Sequence, residues 1–348
     1  MTGPVSTATD PTEAVLSESA LSVHGVCEYV VNVATGCRHG CAFCYVPSTP
    51  PVRARTEMIS ANVAVDSPRE DWGAYVLYRE DLADRLDAHL DRKRTWRETD
   101  LGGGIVGVSF STDPYMDDRA AAIATDVVRV LAEHGKPVRV LTRNPSRAVR
   151  DLETFEQAGE SVTVGTSVPS LDAEAVGALE PFAPPPERRL EALQTFADAG
   201  VPVYVLASPT YPDQNDGELR SLFERIAAVD PDVVFHEPFN VRSARMQQTI
   251  RAASEGGCDE LAATFERLDD TAAWVENAFE QSRQVLAIGS ELDLPVHLCP
   301  HYQLTQAADG EIREWFEAWR GRQPPERFGG RPLPGGPPIP PGPRSGGE

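Results

Sequence analysis

The stretch GCRHGCAFCY, Gly36 to Tyr45, gathers Cys37, Cys41 and Cys44 in a Cys-x3-Cys-x2-Cys pattern. Thiolates so spaced can hold one side of an iron–sulfur cubane. Three protein ligands leave one iron open, and an open metal position is a place for catalysis or substrate rather than for structure alone. Gly36 and Gly40 suit a tight wrap, which demands backbone angles other residues avoid. Two other readings compete. A zinc site would need a fourth ligand, and the only local candidate, His39, lies inside the loop with poor reach to the same metal; or the three thiols are incidental buried groups. Cys27, Cys258 and Cys299 are far apart in sequence and read as small buried hydrophobes.

The elements that must position this loop are legible as alternating apolar runs and helical patterns. CEYVVNV (27–33), AYVLY (74–78), GIVGVSFS (104–111), PVRVLT (137–142), VTVGTSV (162–168), VPVYVLASP (201–209), DVVFHEPF (232–239) and PVHLCP (295–300) read as strands. Between them LADRLDAHLDR (82–92) and PERRLEALQTFADAG (186–200) carry helical spacing. The alternation predicts an α/β fold with a parallel sheet under crossover helices. Such sheets place chemistry at the carboxyl ends of their strands. The cysteine loop, STDPY, TRN, SVPS and SPTYP each follow a strand, so a barrel, open or closed, would bring them around one mouth.

Composition narrows the function classes. The 348 residues carry a net charge of −21, with 53 acidic side chains and only two lysines, Lys93 and Lys136, among 32 basic residues. Scarce lysine with abundant acid fits a surface adapted to high salt, or ordinary acidic solubilisation. It argues against non-specific duplex binding, which needs basic residues on phosphates, though less so in concentrated salt. DRKRTWRE (91–98), with Trp96 placed to stack on a base, is the one dense basic cluster and reads better as a solvated helix end. No apolar run reaches membrane-spanning length, and the N-terminus lacks a basic patch followed by an apolar core. A cytoplasmic protein with metal-binding thiols is the expectation. Residues 1–22 read as a flexible arm, 23–322 as the main domain with a C-terminal helical extension from about 241, and 323–348 as a disordered Pro/Gly-rich tail.

The cysteine motif, with Phe43 just before its last cysteine, resembles the radical S-adenosylmethionine (SAM) superfamily. STDPYMD (111–117), VRVLTRNPSRAVRDLETF (138–155) and the segment from Leu179 to Asp216 are similar to its branch around spore photoproduct lyase, whose members include proteins labelled DNA repair photolyase. The resemblance covers roughly residues 24–240. It implies a partial (β/α)6-type TIM barrel of parallel strands with outer helices. It implies a [4Fe-4S] cluster on Cys37, Cys41 and Cys44, and SAM cleaved reductively to a 5′-deoxyadenosyl radical that takes hydrogen from an unidentified substrate. A ferredoxin- or flavodoxin-type electron donor would be the partner. Phe43 matches the aromatic beside the adenine, with Tyr45 among the cofactor-binding residues. Thr112 and Asp113 fall where relatives contact the SAM amino group, Arg143 where a cation would hold its carboxylate, and Ser167 near its ribose or carboxylate. The competing views are a turn or cap for Asp113 and a surface salt bridge for Arg143. Glu180, Glu187, Arg188 and Arg189 read as structural. One departure matters: the hydrogen-donor cysteine of spore photoproduct lyase is replaced by Phe110 and Ser111, so photoproduct repair by that route is doubtful unless Cys299 faces the same mouth. A DNA repair lyase and a non-catalytic iron–sulfur sensor or scaffold stand as alternatives; the motifs at successive strand ends argue against the scaffold.

Overall fold

The computed structural model describes residues 5–98, 103–322 and 340. Eleven strands are present among them: β1 (Ser6–Thr9), β2 (Ser17–Glu18), β3 (Tyr29–Val31), β4 (Ala34–Gly36), β5 (Tyr75–Tyr78), β6 (Val106–Val108), β7 (Val138–Leu141), β8 (Val162–Ser167), β9 (Val203–Thr210), β10 (Val233–Pro238) and β11 (Val296–Leu298). The main sheet runs β11-β10-β9-β8-β7-β6-β3-β2. Pairing is parallel from β3 to β11, and only β2 is antiparallel. Strands β3 and β6 to β10, with their outer helices, make the expected partial (β/α)6-type barrel, and β11 adds a seventh parallel strand from the C-terminal extension.

Alternation along the strands explains the two faces. Val106, Val108, Val138, Val140, Val162, Val164, Val203 and Val205 point one way and are at most 3% exposed. They pack with helix residues such as Leu131, Phe155, Phe196 and Phe223 in one core. The residues between them, Gly107, Arg139, Thr163, Gly165 and Tyr204, face the barrel interior by the two-residue period of a strand. Gly165 is required there: a Cβ would collide with the Tyr204 ring. Crossover helices end where their caps dictate. Asp117 accepts from the Ala120 amide at 2.9 Å to start helix Asp118–Glu133, and Asn215 and Glu218 form a capping box on helix Asp216–Ala227.

Two expectations change. The stretch 27–33 is not one strand: β3 stops at Val31, and the chain steps into a second sheet, β1-β5-β4. Ser109 fastens the step, donating its amide to the Val31 carbonyl at 2.8 Å and accepting from the Val33 amide at 3.0 Å. The segment read as a flexible arm carries β1, parallel to β5, and β2, paired with β3. Its hydrophobic pattern was too short to show this, because its hydrogen-bond partners lie up to about seventy residues away; Asp10, 4% exposed, anchors it through Thr35 at 2.6 Å and Arg55 at 2.6 Å. The Pro/Gly-rich tail lies outside the described residues except for Pro340. The long helix Thr271–Glu291 covers the β10 side, and no helix among the described residues is long and apolar enough to cross a membrane.

Candidate active site

The small sheet delivers the cysteine loop. β4 ends at Gly36, whose φ of +91° and whose contact with the Tyr75 carbonyl and ring leave no room for a Cβ. Thr112, at the carboxyl end of β6, donates a short hydrogen bond to the Gly36 carbonyl. The loop then turns through a Cys44 amide to Cys41 carbonyl bond of 3.1 Å and is tied to distant segments. The Ala42 amide donates to the Leu179 carbonyl at 2.8 Å. Arg245, 5% exposed, donates from Nε to the Ala42 carbonyl at 3.0 Å and from a terminal nitrogen to the Arg69 carbonyl at 2.5 Å.

His39 is committed elsewhere, which removes it as a fourth metal ligand. Its Nδ1 is 3.0 Å from the Phe182 carbonyl and its Nε2 is 3.2 Å from Asp113 Oδ2. Asp113 in turn accepts from the Tyr115 amide at 2.8 Å, the Thr142 hydroxyl at 2.7 Å and the Arg143 amide at 2.7 Å. Burial works to raise its carboxyl, but His39 and these donors outweigh that and hold it below the usual range. Both oxygens are therefore spent on joining three strand-end loops. Of the two readings of Asp113, the turn-holding one is what the geometry supports.

The thiols form one electrostatic group. Burial raises all three, pushing Cys37 up to about 12, with Asp113 adding to the effect. The thiols also raise one another: Cys44 acts on Cys37, and both Cys37 and Cys44 act on Cys41. Buried protonated thiols are inert until a metal takes the proton's place. Among the described residues, the one group of three or more candidate ligand atoms all within 4.8 Å of one another is Asp87, Asp91 and His134, far from these thiols in the chain. With His39 held by Phe182 and Asp113, the three thiols lack the nearby fourth ligand a structural zinc wants, which suits a cubane with one open iron better than a single ion.

Arg143 supplies positive charge beside them. Its guanidinium lies 5.3 Å from the Phe43 ring centre and donates to Glu180 Oε2 at 2.7 Å. The same oxygen accepts from Arg189 at 2.7 Å, and Tyr211 approaches the other at 3.4 Å. With its side chain only 18% exposed, Arg143 is no surface salt bridge, and its cation works against the rise that burial imposes on Cys41 and Cys44. Two arginines around one glutamate leave a net positive charge beside the thiols. Phe43 is fixed edge-on against Phe239 at 5.7 Å and Tyr211 at 6.4 Å. Ser167, 4% exposed, donates to the Ser208 carbonyl at 3.1 Å. Tyr45 is 59% exposed, yet within the electrostatic reach of Cys44 and Glu237, which sets its ring in the open mouth of the barrel.

Cys37, Cys41, Cys44, Phe43, Thr112, Asp113, Arg143 and Ser167 thus converge on the carboxyl ends of the strands. Sequence reasoning missed Arg245, which sits in no motif and reaches back 203 residues to the loop. It also missed Glu237 as a site residue, although its place at the end of β10 was a usable signal.

Comparison with known proteins agrees. The sequence profile of the radical SAM superfamily matches residues 31–226. The uncharacterized protein ORF301 of Acidianus two-tailed virus is 26% identical over 227 residues, 63% of this chain and 69% of the viral protein. The uncharacterized protein Rv2578c of Mycobacterium tuberculosis is 29% identical over 205 residues, so the match spans 58% of this chain and little more than half, 55%, of that relative. Among solved structures, a tyrosine-to-phenylalanine mutant of spore photoproduct lyase superposes with a TM-score of 0.58 at 13% identity, covering 84% of this chain and 80% of that one. A second mutant of that lyase, holding a dinucleoside spore photoproduct, gives 0.51 at 14% identity, covering 72% and 66%. SuiB of Streptococcus suis gives 0.50 at 10% identity, covering 85% and 56%. These likenesses concern the fold. A profile matching more than half of the chain, over the cysteine loop and the strands that hold it, places this protein in the radical SAM superfamily.

Proposed function

We propose that this chain is an enzyme that binds a [4Fe-4S] cluster through Cys37, Cys41 and Cys44 and SAM at the remaining iron. The single observation that carries the reading is the set of three neighbouring thiols, Cys37 and Cys41 buried and Cys44 half-buried, beside the Arg143–Glu180–Arg189 group at the carboxyl end of a parallel barrel. Bound there, the cluster would supply an electron and SAM its sulfonium, giving methionine and a 5′-deoxyadenosyl radical able to take hydrogen from a substrate. The chain's own residues supply the setting for that chemistry. Gly36, Thr112 and the Arg245 clamp fix the loop. Arg143 lends positive charge to thiolates and to a carboxylate. Phe43 and Tyr45 offer aromatic faces to an adenine. A ferredoxin- or flavodoxin-type donor supplies the electron, and the cytoplasm suits free thiols and a labile cluster.

The test is anaerobic reconstitution followed by iron and sulfide analysis and by electron paramagnetic resonance of the reduced protein with and without SAM. About four irons per chain and a signal altered by SAM are expected. One zinc per chain, or a signal indifferent to SAM, refutes the assignment. A photoproduct repair lyase is the narrower reading, favoured by the likeness to spore photoproduct lyase. By that resemblance, Phe110 and Ser111 stand where that lyase carries its donor thiol. Cys27 is fully buried and donates to Ser19 at 3.4 Å, whereas Cys299 is partly exposed on the interior face.

A further inference from the structure

The barrel interior is built in layers. Tyr204 and Phe235 close the floor edge-to-face at 6.0 Å, with the Arg139 guanidinium 5.3 Å and 5.6 Å from their ring centres. Val30, Phe110, Leu141, Leu206 and Cys299 pack on this floor but stay partly exposed. Ser208 and Glu237 lie at the carboxyl ends of β9 and β10, where the pairing register shifts between His236 and Pro238, and the Ser208 hydroxyl joins them by donating to Glu237 Oε2 at 3.0 Å. Cys299 follows β11, tied by its amide to the His236 carbonyl at 2.8 Å, and feels the charge of Glu237. Arg320 acts on Glu237 only through its field: one terminal nitrogen donates to the Pro300 carbonyl at 2.9 Å, and its guanidinium lies 5.5 Å from the Tyr302 ring centre. Among the described residues Ser208 gives the one hydrogen bond to this carboxyl.

A carboxyl on an apolar interior wall, held by a single hydroxyl, is costly unless a ligand answers its charge. We infer that Glu237 is a substrate-recognition residue and that the interior takes an apolar body bearing a cationic nitrogen, set on Glu237 with its body over Val30, Phe110, Leu141 and Leu206. Burial pushes the Glu237 carboxyl up to about 7, as expected of a group awaiting a counter-charge. A polyanion is disfavoured at the same wall. Only the naming of the occupant as substrate rests on the proposed function.

The experiment uses the cluster-loaded chain in a Cys258→Ser background under anaerobic conditions at pH 8. Cys299 serves as reporter, read by peptide mass spectrometry. Two methanethiosulfonate reagents of similar size are compared, aminoethyl (cationic) and sulfonatoethyl (anionic), each rate normalised to free cysteine. Charge focusing by the Glu237 carboxylate predicts a cationic preference of at least ~10-fold, reduced to about twofold or less in Glu237→Gln with iron content unchanged and melting no lower than the parent's. A ratio near one in the parent, a ratio unmoved by Glu237→Gln, an anionic preference, or no labelling of Cys299 by either reagent overturns the inference. No SAM cleavage is involved, so a protein that makes no 5′-deoxyadenosine yet shows the preference loses the proposed function and keeps the site.

Discussion

Replacing Glu180 with glutamine keeps the side chain's size and removes its charge. Glu180 is 1% exposed, and Oε2 binds Arg143 and Arg189 at 2.7 Å each. The change leaves two guanidiniums facing each other across a neutral amide, with Arg189 itself fully buried. Removing one partner of a buried ionic group costs about 3–5 kcal/mol, because the other charges stay desolvated. At roughly 2–4 °C per kcal/mol for a large domain, melting should fall by about 6–20 °C. The damage should not stay local: Leu179, next in the chain, accepts from Ala42 between two of the cysteines. Iron retained after desalting should drop in step. The pH dependence gives a second handle. Burial works to raise Glu180, but Arg143 and Arg189 win and hold it below its usual value of 4.5. A lowered carboxylate stabilises the fold above the unfolded value and loses that contribution as pH falls through the folded one. The difference between parent and variant should therefore be full above about pH 5 and shrink only in more acidic solution, as the parent's carboxylate takes up its proton. Calorimetry shows both effects. A Glu180→Gln protein within ~1 kcal/mol of the parent at pH 7, with full iron loading, would refute the reasoning.

Other outcomes follow from single contacts. Arg245→Gln removes two hydrogen bonds and a buried cation near Cys41 and Cys44; it should cost about 2–3 kcal/mol and lower the midpoint potential of the loaded cluster, since reduction adds negative charge, as redox titration would show. Glu237→Gln should stabilise the fold at alkaline pH. The folded carboxyl sits at about 7 against an ordinary 4.5, so the parent loses stability as pH rises between those values, and the variant's advantage should grow to about 1–3 kcal/mol above pH 7 and vanish below pH 4.5 in denaturant titrations. Gly36→Ala meets both a left-handed φ and the Tyr75 carbonyl; a loss of about 2–4 kcal/mol and poor iron retention are expected, checked by melting and metal analysis.

How far the sequence reached depended on the range of the interactions involved. The β-branched runs Val138–Leu141 and Val162–Ser167 declared strands, because Val138 and Val140, like Val162 and Val164, alternate toward the helix-covered face and helical patterns follow each run. The cysteine spacing declared its own chemistry, because ligand geometry is local. Non-local pairing was hidden: β1 lies against β5 at Ser6 and Tyr75, and nothing in either stretch names the other. Asp113 could be assigned to the site but not to its role, since that depends on where His39, Thr142 and Arg143 send their donors. Glu180 looked structural, and is so, but its service to Arg143 makes it part of the site as well.

The most direct measurement of the central claim is 5′-deoxyadenosine formed by the reconstituted protein under strong reduction with SAM. The account predicts the nucleoside together with methionine from the parent chain, and neither product nor the brown chromophore from Cys41→Ala. A parent that holds its cluster yet forms no nucleoside, or a Cys41→Ala protein that forms it at the parental rate, would contradict the claim that these three thiols leave an iron open for SAM.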